Sequence, residues 1–530
     1  MGAHAAASAP DRRLLGAASA YPADGMLAAR TDELEMSQRA RRAAAWEAVA
    51  RVVAPITLAE PVPLEGATVP RFRTWHDADD VTRIFEHAYE ALDAEGRAAH
   101  ARIADAAIDA AFDWDQHVLD GMPSWTDAAW AAYLERFADG RSVASIGGLS
   151  RIALSPDATR HIVASYPDVL RCRADGSPPA FVDGPTESTT GIARERVQLD
   201  RCSSVVRGPY WAAAESRIAA RLEGAGSSVA TVRVLSGATP ETGIERCSAT
   251  TETSCDVSGP GPFLVEVDAG GLWLNATLVV ERTTAQGPVA CLDGPFPLAS
   301  ATVSEEWRRV ELGRLPTYDT SATALSARLA DGDGTWGPGD GSAVPAPDQI
   351  YTLSIASGAT FYLAGMHIRT RELDHWLNIT LWWTARPGED FGADMPSSVR
   401  NLRGPWWHYA MCVAIDDVER DPDPTGGVTD PSLAAALAAV HDGQASWCSN
   451  PYIDSAPGLV RSNCVGCHQH AMSGVRPGEV VMDETRYPSH GRLLVRNNFP
   501  ADQFWGLDAG DNLATMIQDT VDYWSTAPPP

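Results

Sequence analysis

The chain has 530 residues, 45 % hydrophobic and 21 % charged, enough for about two to four domains with proper cores. Its 42 basic side chains, all arginine, face 69 acidic ones for a formal net charge of −27, and such a surface repels phosphate backbones and anionic lipid, which argues against nucleic-acid binding. No apolar run reaches the roughly 18 residues that a transmembrane helix needs.

Residues 1–30 are rich in Ala, Gly and Pro and are expected to be unstructured or the remnant of a leader. Arg12-Arg13, Leu14-Leu15 and Ala18-Ser19-Ala20 outline an export signal, but the apolar part is too short. From Thr31 to Val53, Trp46, Val49, Ala50 and Val53 fall at i, i+3, i+4 and i+7 and predict a helix with one apolar stripe. Val81, Ile84, Phe85, Ala88 and Leu92 repeat that pattern over 77–92, and residues 98–112 are Ala-rich and amphipathic. Trp130, Tyr133, Leu134 and Phe137 make a further stripe, opened by Ser124 or Thr126. Ser155-Pro156 opens a short helix, with Ser as cap and Pro at its first position. Residues 31–168 are therefore expected to form a helical domain.

The texture changes after about residue 170. Val205-Val206, Val229–Val234, Phe263–Val267 and Leu272–Val280 are short, β-branched and alternating, and Tyr351–Ile355, Phe361–Thr370 and Trp376–Trp383 continue the pattern. They predict a β-rich domain over 169–420, a sandwich or mixed sheet. The loop 331–348 opens with DGDG, yet its sixth position is Trp336 and its twelfth Ser342, where a calcium-binding EF-hand needs Gly and Glu. A linker, DPDPTGGVTD, covers 421–430. Beyond it, residues 430–527 are expected to hold an Ala/Leu helix at 431–440, a loop-rich stretch, and a final helix over 511–524 capped by Asp511. Leu513, Met516, Ile517, Val521 and Trp524 mark the apolar face of that helix.

Nine cysteines are present. Several lie in Ser/Gly/Pro-rich surroundings that suit disulfides in an oxidising compartment, with buried thiols as the alternative. The expected pairs are Cys172–Cys202, Cys247–Cys255 and Cys412–Cys448, with Cys291 left over; spacing alone does not fix this connectivity.

Cys464-Val465-Gly466-Cys467-His468 is the most specific motif. In a C-x-x-C-H sequence the two thiols add across the haem vinyl groups and the next His ligates the iron. Small residues fill the gap between the cysteines. Zinc on Cys464, Cys467, His468 and His470, with Cys448 as a possible further ligand, is one alternative, cramped because four ligands fall within seven residues. A redox dithiol expects a preceding strand, which this Ser/Pro/Gly-rich stretch does not offer; a plain structural disulfide is the third alternative. One covalent haem c, held by Cys464 and Cys467 and ligated by His468, is the favoured assignment. Met482 is favoured as the second iron ligand, ahead of His490 or an open position, while Met516 belongs to a helix core.

Trp447-Cys448-Ser449-Asn450-Pro451-Tyr452, the stretch Asn463 to His470, and Arg496 to Asp502 together resemble large, largely uncharacterised bacterial cytochrome c family proteins. In these a long non-haem region precedes one terminal C-x-x-C-H site. The segment 363–383, LAGMHIRTRELDHWLNITLWW, is similar to their G-x-H-I motif followed by a Trp-rich strand. The resemblance covers about the last 190 residues well and the rest loosely. Where the family is expected to carry a Lys before the Trp of an earlier strand, this chain has Glu306-Trp307. The resemblance implies a covalently haem-bearing, extracytoplasmic protein and supplies no reaction.

The expected whole is an α+β multidomain chain: a helical N-terminal region, a β-rich middle domain and a small, mostly helical c-type haem region. It is expected in the periplasm or on the cell surface, passing single electrons to an unidentified redox partner protein. The alternatives are a haem oxidoreductase or peroxidase with an open distal site, and a non-catalytic surface binding protein with zinc or a disulfide at the motif. His367, Arg369, Asp374 and His375 form a secondary candidate site, weighed against ordinary β-domain interior. Trp382-Trp383 and Trp406-Trp407 are expected to pack at a domain interface rather than to bind carbohydrate. No P-loop, G-x-S-x-G or H-E-x-x-H motif is present.

Overall fold

A computed structural model describes residues 18–62, 66–121, 148–173, 190–201, 203–212, 216–225, 230–237, 240, 243–257, 261–271, 273–284, 295–310, 314–330, 335–354, 360–373, 375–402, 404–415, 447–454, 459–461, 463–468, 471, 504 and 513–526. The chain is α+β and divides into two compact units. One comprises Met1–Pro167, Phe296–Cys464 and Asp511–Pro530; the other comprises Asp168–Pro295 and Val465–Gly510.

The first unit is built on an antiparallel sheet. Its strands are β3 (Gly148–Leu154), β12 (Ala301–Arg309), β15 (Thr352–Ser354), β16 (Thr360–Thr370), β17 (Leu377–Trp383) and β18 (Tyr409–Ala414). The order is β18-β17-β16-β12-β3, with β15 also pairing β16. Every residue of β17 and of β18 is buried. The alternation that marks a half-exposed strand is therefore missing, and both faces of the sheet are covered. The helix Gln38–Val52 packs against β18 and the helix Pro156–Ala164 against β3 and β12. Two small ladders join β1 (Pro55–Val62) to β2 (Gly66–Pro70) and β13 (Leu315–Thr317) to β14 (Gly341–Ala343).

Most helical expectations in this unit hold. Val81, Ile84, Phe85 and Ala88 are buried along the helix Ala78–Glu90. Ser155 caps Pro156–Ala164, its Oγ accepting from the Ala158 N–H at 3.4 Å. The helix expected over 31–53 is two, Thr31–Met36 and Gln38–Val52. Ser37 between them is extended, and its side chain accepts from the Ala40 N–H as an N-cap. Over 98–112 the helix starts later, at Asp105, and runs to Gly121. The ladder β1–β2 and the strand β3 lie within the stretch expected to be mostly helical. The stripe at Trp130–Phe137, the linker 421–430 and the helix 431–440 lie outside the described residues.

Trp336 is buried, and its indole N–H donates to Ser449 Oγ at 2.9 Å. The residue that breaks the calcium-loop pattern is a packing residue. Trp382, Trp383 and Trp406 are buried as expected, whereas Trp407 is 40 % exposed.

The second unit carries two four-stranded antiparallel sheets. Their strands are β4 (Thr190–Leu199), β5 (Ser204–Ala212), β6 (Ser216–Glu223), β7 (Thr231–Ser236), β8 (Ile244–Thr250), β9 (Glu252–Val257), β10 (Gly261–Asp268) and β11 (Leu274–Thr284). The orders are β5-β10-β7-β8 and β4-β11-β6-β9. Val232, Val234, Val265 and Val267 of one sheet and Val197, Ile218, Leu278 and Val280 of the other are buried, each set at strand spacing. Thr251, at φ 62°, turns the chain from β8 in one sheet to β9 in the other. The expected disulfide Cys247–Cys255 bridges those two edge strands. Among the described residues no helix is long and apolar enough to cross a membrane.

Candidate functional site

One row of side chains crosses the sheet of the first unit. Ile152, Ser304, His367, Thr380 and Cys412 are successive cross-strand partners on β3, β12, β16, β17 and β18. Partners directly opposite one another share a face, so the row is a continuous, mostly polar track. The segment 447–454, WCSNPYID, lies along it. Cys448 is disulfide-bonded to Cys412, the second expected pair found. The Asn450 amide donates to Thr380 Oγ1 at 3.2 Å and to the Leu381 carbonyl at 2.9 Å. Asp454 Oδ1 lies 3.5 Å from His367 Nε2.

The segment is held from both sides. Tyr452 N–H donates to Asn450 Oδ1 at 2.9 Å, and Tyr452 OH donates to the Pro316 carbonyl at 2.6 Å. Burial pushes the Tyr452 phenol well above its ordinary pKa, so it stays a neutral donor. The Trp447 indole donates to the Val460 carbonyl at 2.7 Å and stacks edge-on against Trp336. Strand residues of the track are thus tied to one short irregular segment by a covalent bond, an amide fork and a His–Asp contact.

Sixteen residues on from Cys448 comes Cys464, half-buried, with its Sγ 3.8 Å from Cys448 Sγ. Cys464 to His468 forms a single helical turn. Positions 464, 467 and 468 are therefore at i, i+3 and i+4 and share a helical face. Val465 is buried, while Cys464 and His468 are half-buried. A turn of this kind fits covalent haem: two thiol positions and one imidazole position lie on one side, and the intervening Val packs inward. Met482 and His490, weighed as second iron ligands, lie outside the described residues, as do His470 and the expected pair Cys172–Cys202. Met516 is half-buried on the helix Leu513–Thr526, whose buried residues include Leu513, Ile517 and Val521. Among the described residues no three His, Cys, Asp or Glu side chains are grouped to hold a metal ion.

Of the secondary candidates, Asp374 lies outside the described residues, and His367 and Arg369 have separate partners. Arg369 is buried, its guanidinium 4.6 Å from the Trp376 ring centroid and its Nε donating to Asn378 Oδ1 at 2.8 Å. His367 instead joins the track with Asp454. Asn450 and Thr380 stood only inside the longer stretches 447–452 and 363–383, with no role read for either, and Asp454 stood in none. Thr380 had the signal of a polar residue alternating with apolar ones in the strand Leu377–Trp383, whereas Asn450 and Asp454 lie on the irregular segment and carry no such pattern.

No protein-family model matches the chain, and no curated protein matches it. Among solved structures, the periplasmic inhibitor of g-type lysozyme from Aeromonas hydrophila, PliG, is 16 % identical over 18 % of this chain and 88 % of its own, with a TM-score of 0.15. A structure of the disulfide-linked pili that form Bacillus endospore appendages is 13 % identical over 20 % of this chain and 96 % of its own, with a TM-score of 0.11. At those scores neither likeness bears on the fold or the function of the whole.

Proposed function

We propose that this chain is an extracytoplasmic monohaem c-type cytochrome that transfers single electrons to a partner protein. The observation that carries it is the CVGCH turn, which puts two Cys positions and a His position on one helical face. Cys464 and Cys467 would each take a thioether and His468 the proximal iron position, with Met482 as the second ligand. When bound, haem supplies a one-electron Fe(III)/Fe(II) couple; the chain binds, orients and shields it. The disulfides Cys247–Cys255 and Cys412–Cys448 support an oxidising compartment, the setting in which such bonds persist.

The test is a denatured pyridine haemochrome spectrum with intact mass, on full chain exported through a host that attaches c-type haem. One haem of added mass that survives denaturation, with a c-type spectrum, is expected. An unmodified mass would overturn the assignment, and zinc content and thiol titration would then decide between the remaining assignments for the motif. Met482→Ala is expected to abolish a Met-to-iron charge-transfer band.

A further inference from the structure

Three sulfurs of the first unit lie together: the disulfide Cys412–Cys448 and the side chain of Cys464, whose Sγ is 3.8 Å from Cys448 Sγ. Cys412 and Cys448 are each only 2 % exposed, on β18 and on the segment pinned to the sheet, whereas Cys464 is half-buried at the start of its helical turn. A thiol in solution therefore has no direct approach to the disulfide. Cys464 both touches it and reaches toward solvent. The trio has the arrangement that thiol–disulfide exchange requires, with one sulfur toward solvent.

We propose that Cys464 exchanges with the buried disulfide and governs its reduction. Cys464 gives up its proton and its thiolate attacks Cys448 Sγ. The Cys448–Cys464 bond forms as the Cys412–Cys448 bond breaks, and Cys412 departs as a thiolate that takes up a proton. One disulfide is present before and after, so no oxidant or reductant is consumed. The new bond has one half-buried sulfur, open to the thiolate of a small thiol or of a dithiol oxidoreductase. Reduction of the pair then proceeds from Cys464 inward. The site stands apart from the haem assignment, since it needs only the cysteine side chain. A thioether at Cys464 would consume that thiol and lock the Cys412–Cys448 isomer. Exchange to the Cys448–Cys464 bond would in turn withhold Cys464 from haem, so the two fates of this sulfur compete.

The experiment uses full chain exported to an oxidising compartment in a host without haem-attachment machinery, its haem-free state verified by intact mass. The protein is held at pH 8 with trace 2-mercaptoethanol, trapped in denaturant with N-ethylmaleimide, digested and mapped by mass spectrometry. Peptides joining Cys448 to Cys464, with Cys412 carrying the label, are expected beside the Cys412–Cys448 peptides. Finding Cys412–Cys448 alone, with Cys464 labelled or paired to Cys467, would overturn the exchange. In Cys464→Ser, which leaves the disulfide in place, reduction of Cys412–Cys448 by dithiothreitol under native conditions is expected to slow at least about tenfold. An unchanged rate would overturn the governing role of Cys464.

Discussion

Asn450 occupies the space that a side chain on Gly365 would need: a Cβ there would lie 2.9 Å from both Oδ1 and Nδ2 of Asn450. Gly365 faces Trp382 across the β16–β17 ladder, two residues along from the Thr380–His367 pair and so on the same face. The absent side chain lets the segment 447–454 lie directly on the sheet, where the Asn450 amide reaches Thr380 and the Leu381 carbonyl. Gly365→Ala is expected to destabilise the first unit by about 1–3 kcal/mol, since the amide has to leave its bonds or the strand has to shift. Chemical denaturation measures it. A double-mutant cycle with Asn450→Ala is expected to show strong non-additivity, because truncating Asn450 removes the clash. Additive effects would mean that the two residues do not meet.

Acid sensitivity of the first unit should have two steps. Burial holds the His408 imidazole below its ordinary pKa of 6.5, against the opposing pull of the Thr384 carbonyl and Asp348. A depressed folded-state pKa means that the unfolded chain binds protons more readily, so this stability is full above about pH 6.5 and is lost as pH falls toward the folded value. Asp394 gives the lower step. Burial alone would raise its pKa, but the Arg42 charge and bonds from Arg42 and Trp46 outweigh that and hold it below 3.8. Its contribution is complete above that value and is lost below it. Stability measured against pH should therefore decline first from near neutrality and again below about pH 4. His408→Gln should remove the first decline and leave the second.

Asp394→Asn probes the second step directly. Arg42 is buried and grips Asp394 through two bonds, Nε to Oδ2 at 2.6 Å and Nη2 to Oδ1 at 2.5 Å, while Trp46 donates to Oδ1 at 3.1 Å. Removing the carboxylate charge leaves the guanidinium uncompensated, a loss of about 3 kcal/mol near neutral pH. The variant should also lose the steepening of its acid limb below pH 4. A steep limb that persisted would assign the transition to another carboxylate.

The elements that sequence revealed are those whose pattern is local. The capped helix at Ser155, the stripe of Val81, Ile84 and Phe85, and the strands Phe361–Thr370 and Trp376–Trp383 are each set by neighbouring residues. Gly148–Leu154 was not legible as a strand, because Ser150 and Arg151 break any alternation and Leu149, Ile152 and Ala153 fall at the i, i+3, i+4 spacing of a helix. Its partner β12 lies about 150 residues away, and only pairing with that strand makes it β. The same distance hid the polar track. His367 stood out as a histidine in a strand, but Asp454 and Asn450 acquire meaning only once their segment lies across the sheet. The CVGCH motif was legible in full because the covalent haem attachment proposed for it demands fixed spacing within five consecutive residues. The 3.8 Å approach of Cys464 to Cys448 was not, since it is a product of tertiary packing.

In the second unit the Cys247–Cys255 disulfide fastens β8 to β9, the edge strands of two different sheets. The residues are eight apart, so the closed loop is short and the stabilisation expected from loop closure is about 2–3 kcal/mol. Paired Cys247→Ser and Cys255→Ser substitutions should lower the melting temperature of this unit and leave the transition of the first unit in place. A shift of both transitions together would mean that the two units unfold as one.

His468 separates attachment from ligation in the haem assignment. The thioethers depend on positions 464 and 467, while the imidazole one residue on supplies the iron ligand. His468→Ala should therefore keep one haem of covalent mass when produced with a c-type attachment system, yet lose the low-spin spectrum and bind carbon monoxide readily once reduced. Cys467→Ser should do the reverse: the iron keeps its imidazole, but haem stays attached through one thioether, and the pyridine haemochrome band moves away from the two-thioether position. Absorption spectra and intact mass on the two variants distinguish these roles. If His468→Ala left the spectrum of the wild-type protein unchanged, His468 would not be the ligand, and another imidazole or thioether side chain would have to take the proximal position.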